Sequence, residues 1–361
     1  MSNSSTDLVS SGGIRASWFA PLAPIYNWIT SARNRLYDSG ILIDYSAPLP
    51  VVCVGNATVG GTGKSPVAAA IAGELKAIGR SPVILARGYG GTVPGPRLVT
   101  AGDRPDEVGD EPVMHRRFLN PEVPVVISRD RVIGAGFIAE KKLGDVIVLD
   151  DGYQHRRLRR NLNLLLIDIS SDPAVTEWKE GRHLPAGRFR ESREEALRRA
   201  DALIMVSRSA EGSAERIREV SRTLPAAASG LPLIGVEIFA EKVVEIVSGR
   251  EVDLNGLRGS SGIAACGLAR PEHFFSAIGA IGIEVVRTKA FADHHPYSPG
   301  DLKDLLKENL PLYVTAKDAV KLLAFIRPGD RVFVLVQGLR YPAPADHEKL
   351  VHIIGRLGTA G

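Results

Sequence analysis

Only two cysteines occur in 361 residues, and both, Cys53 and Cys266, sit inside apolar strand-like runs. That usage excludes a disulfide framework and a zinc site, and it fits a reducing cytoplasm. No apolar stretch reaches the length that a bilayer-spanning helix needs. The N-terminus lacks the early basic region and the small-residue cleavage pattern of a signal peptide. A formal charge of +4 is too small to argue for nucleic acid, and none is expected as a partner. Internal repeats and low-complexity tracts are absent. What remains is ordinary globular composition, 44% hydrophobic and 24% charged, with length enough for two domains that each bury a core.

The most informative segment is Gly55-Asn56-Ala57-Thr58-Val59-Gly60-Gly61-Thr62-Gly63-Lys64-Ser65-Pro66, directly after the apolar run 50–54. A strand entering a glycine-rich turn that ends Gly-Lys-Ser and opens a helix is a phosphate-cradling loop. Its backbone N–H groups converge on phosphate oxygens, and the helix N-terminus adds partial positive charge. Lys64 reaches the outer phosphates, Ser65 is placed to ligate Mg²⁺, and Gly60 to Pro66 form the ATP- or GTP-binding stretch. Thr58 stands where the strict pattern has glycine; the strong strand before and the Ala/Ile-rich helix after preserve the context. The bland reading, a glycine-rich turn without a ligand, leaves a buried lysine with no anion to offset it.

From Pro50 to about Val236 apolar runs alternate with helical stretches, which predicts a mainly parallel α/β sheet of the P-loop nucleotide triphosphatase type. Val243 to Val247 alternates and reads as a linker or hairpin rather than a core strand. A second, smaller α/β block follows. The expected division is an N-terminal tail and membrane-interface segment (1–48), a phosphate-loop domain (49–237), a short β linker (238–250) and a C-terminal α/β domain (251–361). The last helix, about 346–357, packs on either domain.

The strand Val146–Leu149 ends in Asp150 and Asp151, the position from which such enzymes hold Mg²⁺. Adjacent carboxylates repel, so the pair implies a cation nearby; the alternative is a common Asp-Asp-Gly turn. Next come Gln154 and the basic run Arg156 to Arg160, either a solvated face or a contact for anionic substrate or lipid. Arg87-Gly88-Tyr89 and Gly109-Asp110-Glu111-Pro112 fall near the same sheet edge. In the loop 291–298, Asp293-His294 suggests a carboxylate-polarised imidazole, a general-base arrangement. Upstream, the stretch 17–35 carries Trp18, Phe19, Tyr26 and Trp28 followed by Arg33 and Arg35. Aromatic-plus-basic segments suit a membrane interface, while the alternative is a helix docked by its aromatic face on the protein's own core.

Together these segments, with 184–191 and Thr315-Ala316-Lys317-Asp318, resemble the tetraacyldisaccharide 4′-kinase family over nearly the whole chain from about residue 17. The resemblance implies transfer of the γ-phosphate of ATP to the 4′-hydroxyl of tetraacyldisaccharide 1-phosphate, giving lipid IVA. It also implies an interfacial enzyme on the cytoplasmic face of the bacterial inner membrane. By similarity Asp110 and His294 form a catalytic dyad and Lys64 neutralises phosphate charge. Ser65 and Glu111 serve Mg²⁺ beside Asp150 and Asp151, and Arg87, Tyr89, Gln154 and Arg190 lie toward the substrate. Ser65 for the commoner Thr and Tyr153 for the commoner Phe keep the needed groups, and the role of 315–318 stays open. The competing readings are a GTP-driven switch or metallochaperone and a soluble ATP-dependent ligase on the same fold. Against the first, Ala316-Lys317-Asp318-Ala319 does not fit a guanine-reading element and no Cys-rich handoff motif occurs.

Overall fold

The computed structural model describes residues 20–209 and 211–358, so Trp18 and Phe19 of the aromatic segment lie outside it. Its strands are β1 (Val51–Asn56), β2 (Pro82–Ala86), β3 (Arg97–Leu98), β4 (Val125–Ile127), β5 (Val146–Asp150), β6 (Leu162–Asp168) and β7 (Ala202–Ser207) in the first part. The second part adds β8 (Leu233–Glu245), β9 (Glu251–Val252), β10 (Ser261–Cys266), β11 (Glu284–Ala290), β12 (Leu312–Thr315) and β13 (Val332–Arg340). All belong to one 13-stranded sheet, ordered β11-β10-β12-β13-β8-β7-β6-β1-β5-β2-β4-β3 with β9 paired to β8.

Strands β1, β2, β5 and β7 are buried along their whole length. Continuous apolar runs are what parallel strands covered on both faces require, and β1 pairs in parallel with both β5 and β6. The order changes direction around β1, whose carboxyl end therefore opens into the crevice where ligands of such sheets bind. At the far edge, β11 is mostly exposed and carries Arg287 and Lys289, charges that suit an unpaired edge.

The expected linker at 238–250 is built differently. Residues 238–245 are the distal half of β8, which runs parallel to β7 at its start and antiparallel to β13 at its end. Val243 is fully buried opposite Leu335. Its alternation reflects a half-covered strand with one face on a small core containing Leu257, Phe274 and Tyr313, so 238–245 is core strand rather than linker, and the turn after it returns through β9 as the expected hairpin. The last helix, Pro344–Gly355, packs on β8 and also meets the Lys64–Ala77 helix, where His347 contacts Glu74 at 3.0 Å.

The N-terminal helix, Ala23–Asp38, is tethered through polar contacts. Buried Asn34 donates to Glu191 (3.1 Å) and Glu195 (2.7 Å), and Arg156 donates to the Asn34 carbonyl and to Asp38. Its apolar side chains face outward: Ile25 and Ile29 are 55% exposed and Trp28 is 70% exposed. The exposed run Ile41, Leu42 and Ile43 follows it. The alternative of an aromatic face docked on the core therefore does not hold for Trp28. Among the described residues no helix is long and apolar enough to cross a membrane.

Candidate active site

The helix Lys64–Ala77 starts at Gly63 in the left-handed region (φ 86°), and no side chain caps it. Its first N–H groups are thus left for an anion. The Gly63 φ of 86° is a backbone conformation that L side chains rarely adopt, so glycine is favoured at this turn. Asn56, at the end of β1, donates to Thr62 (2.6 Å) and fixes the loop from within. Lys64 lies over the loop, 3.4 Å from the Gly60 carbonyl and 3.7 Å from Asp151. The anion that this lysine demands is therefore supplied in part by the protein itself.

The twin acids at the end of β5 part company. Asp150 is buried and its Oδ2 meets His115 Nε2 at 2.8 Å, while its Oδ1 is buried without a hydrogen-bond partner. Burial raises the Asp150 pKa, but the hydrogen bond and charge of His115 outweigh it and hold the group ionised. Asp151, at a left-handed φ of 53°, turns toward Lys64 and Arg190. The pair alone therefore does not require a cation. The wider acid cluster makes the stronger case: burial, Asp150 and Asp110 together push the Glu111 carboxyl up to about 7. A hard cation beside Glu111, Asp150 and the facing Ser65 hydroxyl would relieve that repulsion and engage the unpaired Asp150 oxygen. Among the described residues no group of three or more His, Cys, Asp or Glu side chains could hold a metal ion.

Across the cleft, Asp110 opens the short helix Asp110–Met114 and meets His294 Nδ1 at 3.0 Å. Gly109 (φ 95°) makes that placement possible, since a Cβ there would strike the Tyr89 carbonyl at 2.6 Å. Burial raises the Asp110 pKa, but the His294 hydrogen bond and the charges of Lys317 and Lys321 hold it down to about 2. In return the bond to Asp110 raises the pKa of His294. Asp293 is 3.9 Å from His294 Nε2 and pairs instead with Lys317 at 2.9 Å, so the carboxylate that orients the imidazole is Asp110 rather than its chain neighbour.

One cleft of about 740 Å³ collects Gly60 to Pro66, Arg87, Tyr89, Glu111, Asp150, Asp151, Gln154, Arg190 and His294 on its walls. Arg190 bridges Asp151 and the Gln154 amide, and Gln154 also donates to the Asn56 carbonyl at 2.7 Å. Asp110 sits behind His294 rather than on the wall. Sequence reasoning missed His115, Arg131, Arg188, Arg208, Lys317 and Lys321. Arg188 donates to the Val59 carbonyl over Gly60, and Arg208 donates to the Gly61 carbonyl. Arg188 could have been found, because it lies in the stretch 184–191 that carries the resemblance; in the structure buried Phe189 bridges Thr58 and sets 188 and 190 beside the loop. Lys317 lies inside the 315–318 segment, whose role the sequence left open, and His115, Arg131, Arg208 and Lys321 fall outside the named motifs.

The family profile described as tetraacyldisaccharide-1-P 4′-kinase matches residues 15–355. The tetraacyldisaccharide 4′-kinase of Paramagnetospirillum magneticum is 37% identical over 94% of this chain and 94% of its own length. That of Rhodospirillum rubrum is 37% identical over 96% of each. The crystal structure of the "apo" form of LpxK from Aquifex aeolicus in complex with ATP superposes with a TM-score of 0.74 at 30% identity, covering 94% of this chain and 99% of that one. With the phosphate loop, the acidic strand tip and the imidazole sharing one cleft, this chain belongs to the tetraacyldisaccharide 4′-kinase family and is a kinase of lipid A biosynthesis.

Proposed function

We propose that this chain moves the γ-phosphoryl group of ATP onto the 4′-hydroxyl of tetraacyldisaccharide 1-phosphate, yielding lipid IVA and ADP. The observation that carries the reading is the 3.0 Å contact between His294 and Asp110, with His294 on the wall of the cleft that holds the Lys64 loop. Phosphoryl transfer asks for alignment and charge neutralisation more than covalent help. The loop N–H groups and Lys64 bind and orient the triphosphate. Ser65, with Glu111 and Asp150, would hold Mg²⁺, which would supply charge neutralisation for the phosphates. Asp110 orients His294 through Nδ1, which leaves Nε2 to accept the hydroxyl proton as the new O–P bond forms and the bond to ADP breaks. Arg87, Tyr89, Gln154 and Arg190 form the acceptor side. No feature of the cleft favours the switch or ligase readings.

The acceptor is a lipid, and the outward apolar face of the helix Ala23–Asp38, with Arg33 and Arg35 on the same helix, supports approach from a membrane surface. We place that contact on the cytoplasmic face of the inner membrane, as a peripheral or monotopic association. The domain division at 49–237 and 251–361 remains the reading for the movement that closes the cleft and excludes water.

The deciding assay incubates purified protein with γ-labelled ATP, Mg²⁺ and tetraacyldisaccharide 1-phosphate in mixed micelles. Label in the organic phase, dependent on the lipid, is expected. Label confined to water-soluble phosphate defeats the assignment.

A further inference from the structure

The segment 315–318 enters none of the roles above, yet the structure brings its lysine to the dyad. Thr315 ends β12 and caps the helix Ala316–Leu322 through its hydroxyl, which also meets the fully buried Asp318 at 2.6 Å. Asp318 in turn accepts from the Gly267 N–H at 3.1 Å. This rigid corner fixes where Lys317 emerges. The Lys317 side chain is only 14% exposed, and its ammonium sits 2.9 Å from Asp293 Oδ1 and 3.0 Å from His294 Nε2.

An ammonium has three donors and no acceptor. The Nε2 atom facing it must therefore carry a lone pair, which assigns the ring proton to Nδ1, 3.0 Å from the Asp110 carboxylate. We infer that Lys317 is a positioning residue for the phosphoryl transfer: it holds His294 as the neutral Nδ1–H tautomer with a bare Nε2 facing the cleft, and yields that contact to the acceptor hydroxyl. Asp293 keeps hold of the lysine when it does so, which leaves its charge at the rim of the site. The inference rests on the kinase reading for the step it serves, but the tautomer itself does not.

The charged and titratable groups facing His294 are Asp110 from its helix, Lys317 from the helix Ala316–Leu322, Asp293 from its own loop, and the Tyr89 ring edge-on at 5.5 Å; Lys321 reaches Asp110 from behind at 3.3 Å. Asp110 favours the imidazolium and Lys317 opposes it. Removing Lys317 makes His294 easier to protonate, so activity that needs the neutral ring is lost at a higher pH than in the wild type.

Two measurements test this. Nitrogen chemical shifts of histidine-labelled, substrate-free protein should show His294 with a protonated Nδ1 and a bare Nε2 at neutral pH; an Nε2–H tautomer or an imidazolium overturns the inference whatever the activity. In the mixed-micelle assay, Lys317→Met should lower kcat at neutral pH at least about tenfold, part of the 10²–10⁴ that general base catalysis supplies. KM for ATP should stay within about threefold, the acid limb of the kcat profile should move to higher pH, and Lys317→Arg, which still donates, should restore part of the rate. An active wild type with an unmoved acid limb in Lys317→Met overturns the proposal. A wild type with intact shifts and no transfer overturns the kinase reading instead. Thermal unfolding and fluorescent-nucleotide binding of Lys317→Met identify a misfolded variant, in which case Lys317→Gln, shorter and still polar, carries the same comparison.

Discussion

At the residue scale the site is governed by pairs in which each charge is held by another. Asp110 serves as hub for His294 and Lys321, Asp151 for Lys64 and Arg190, and Asp150 for His115. Breaking the first pair should act on chemistry more than on binding. Asp110→Asn and His294→Ala are each expected to lower kcat by about 10²–10⁴ while leaving KM for ATP within a few-fold, because neither side chain touches the phosphate loop. Steady-state kinetics in mixed micelles check this; if both variants keep turnover within a few-fold of wild type, the dyad is wrong. Much of this scale was legible in the sequence. Lys64, Ser65 and the acids at 150 and 151 announce themselves because a loop that binds phosphate must be local in sequence. Lys317 and His115 do not, since each acts through a partner distant in the chain.

The informative element is the helix Ala23–Asp38. An ordinary surface helix turns its apolar stripe inward, whereas here buried Asn34 faces the protein and Ile25, Trp28 and Ile29 face out. Each such side chain transferred into a lipid interface contributes roughly 1.5–3 kcal/mol if fully buried there. Replacing Ile25, Trp28 and Ile29 together by glutamate should therefore cut co-sedimentation with anionic vesicles at least about tenfold. The melting temperature should shift by no more than a couple of degrees, because surface changes away from packed contacts cost about 0.5 kcal/mol or less. Vesicle binding unchanged by the triple substitution would remove this helix from the membrane contact. The aromatic-plus-basic composition of the segment was readable from sequence; which face looked outward was not, because the tether through Glu191 and Glu195 is made across the fold.

On the scale of the whole molecule, β8 joins what the sequence reading separated. One strand pairs along one edge with β7 and then β9, and along the other with β13, so the sheet passes from one half to the next without a break. Val243→Asp should thus destabilise the protein by about 3 kcal/mol or more, the cost of an unpaired charge in a core strand, whereas a linker residue would tolerate it. Urea unfolding followed by far-UV circular dichroism measures the difference. The sequence by itself determined the local features: which runs are strands buried on both faces, where the phosphate loop turns and which carboxylates end β5. These follow from periodicity, glycine stereochemistry and charge along a short stretch of chain. Tertiary structure alone decided that β8 is continuous and that Lys317 meets the bare nitrogen of His294, and it brought together the Asp110–His294 pair that the family resemblance implied. Those contacts join residues far apart in the chain, and only the order in which the strands assemble brings them within bonding distance.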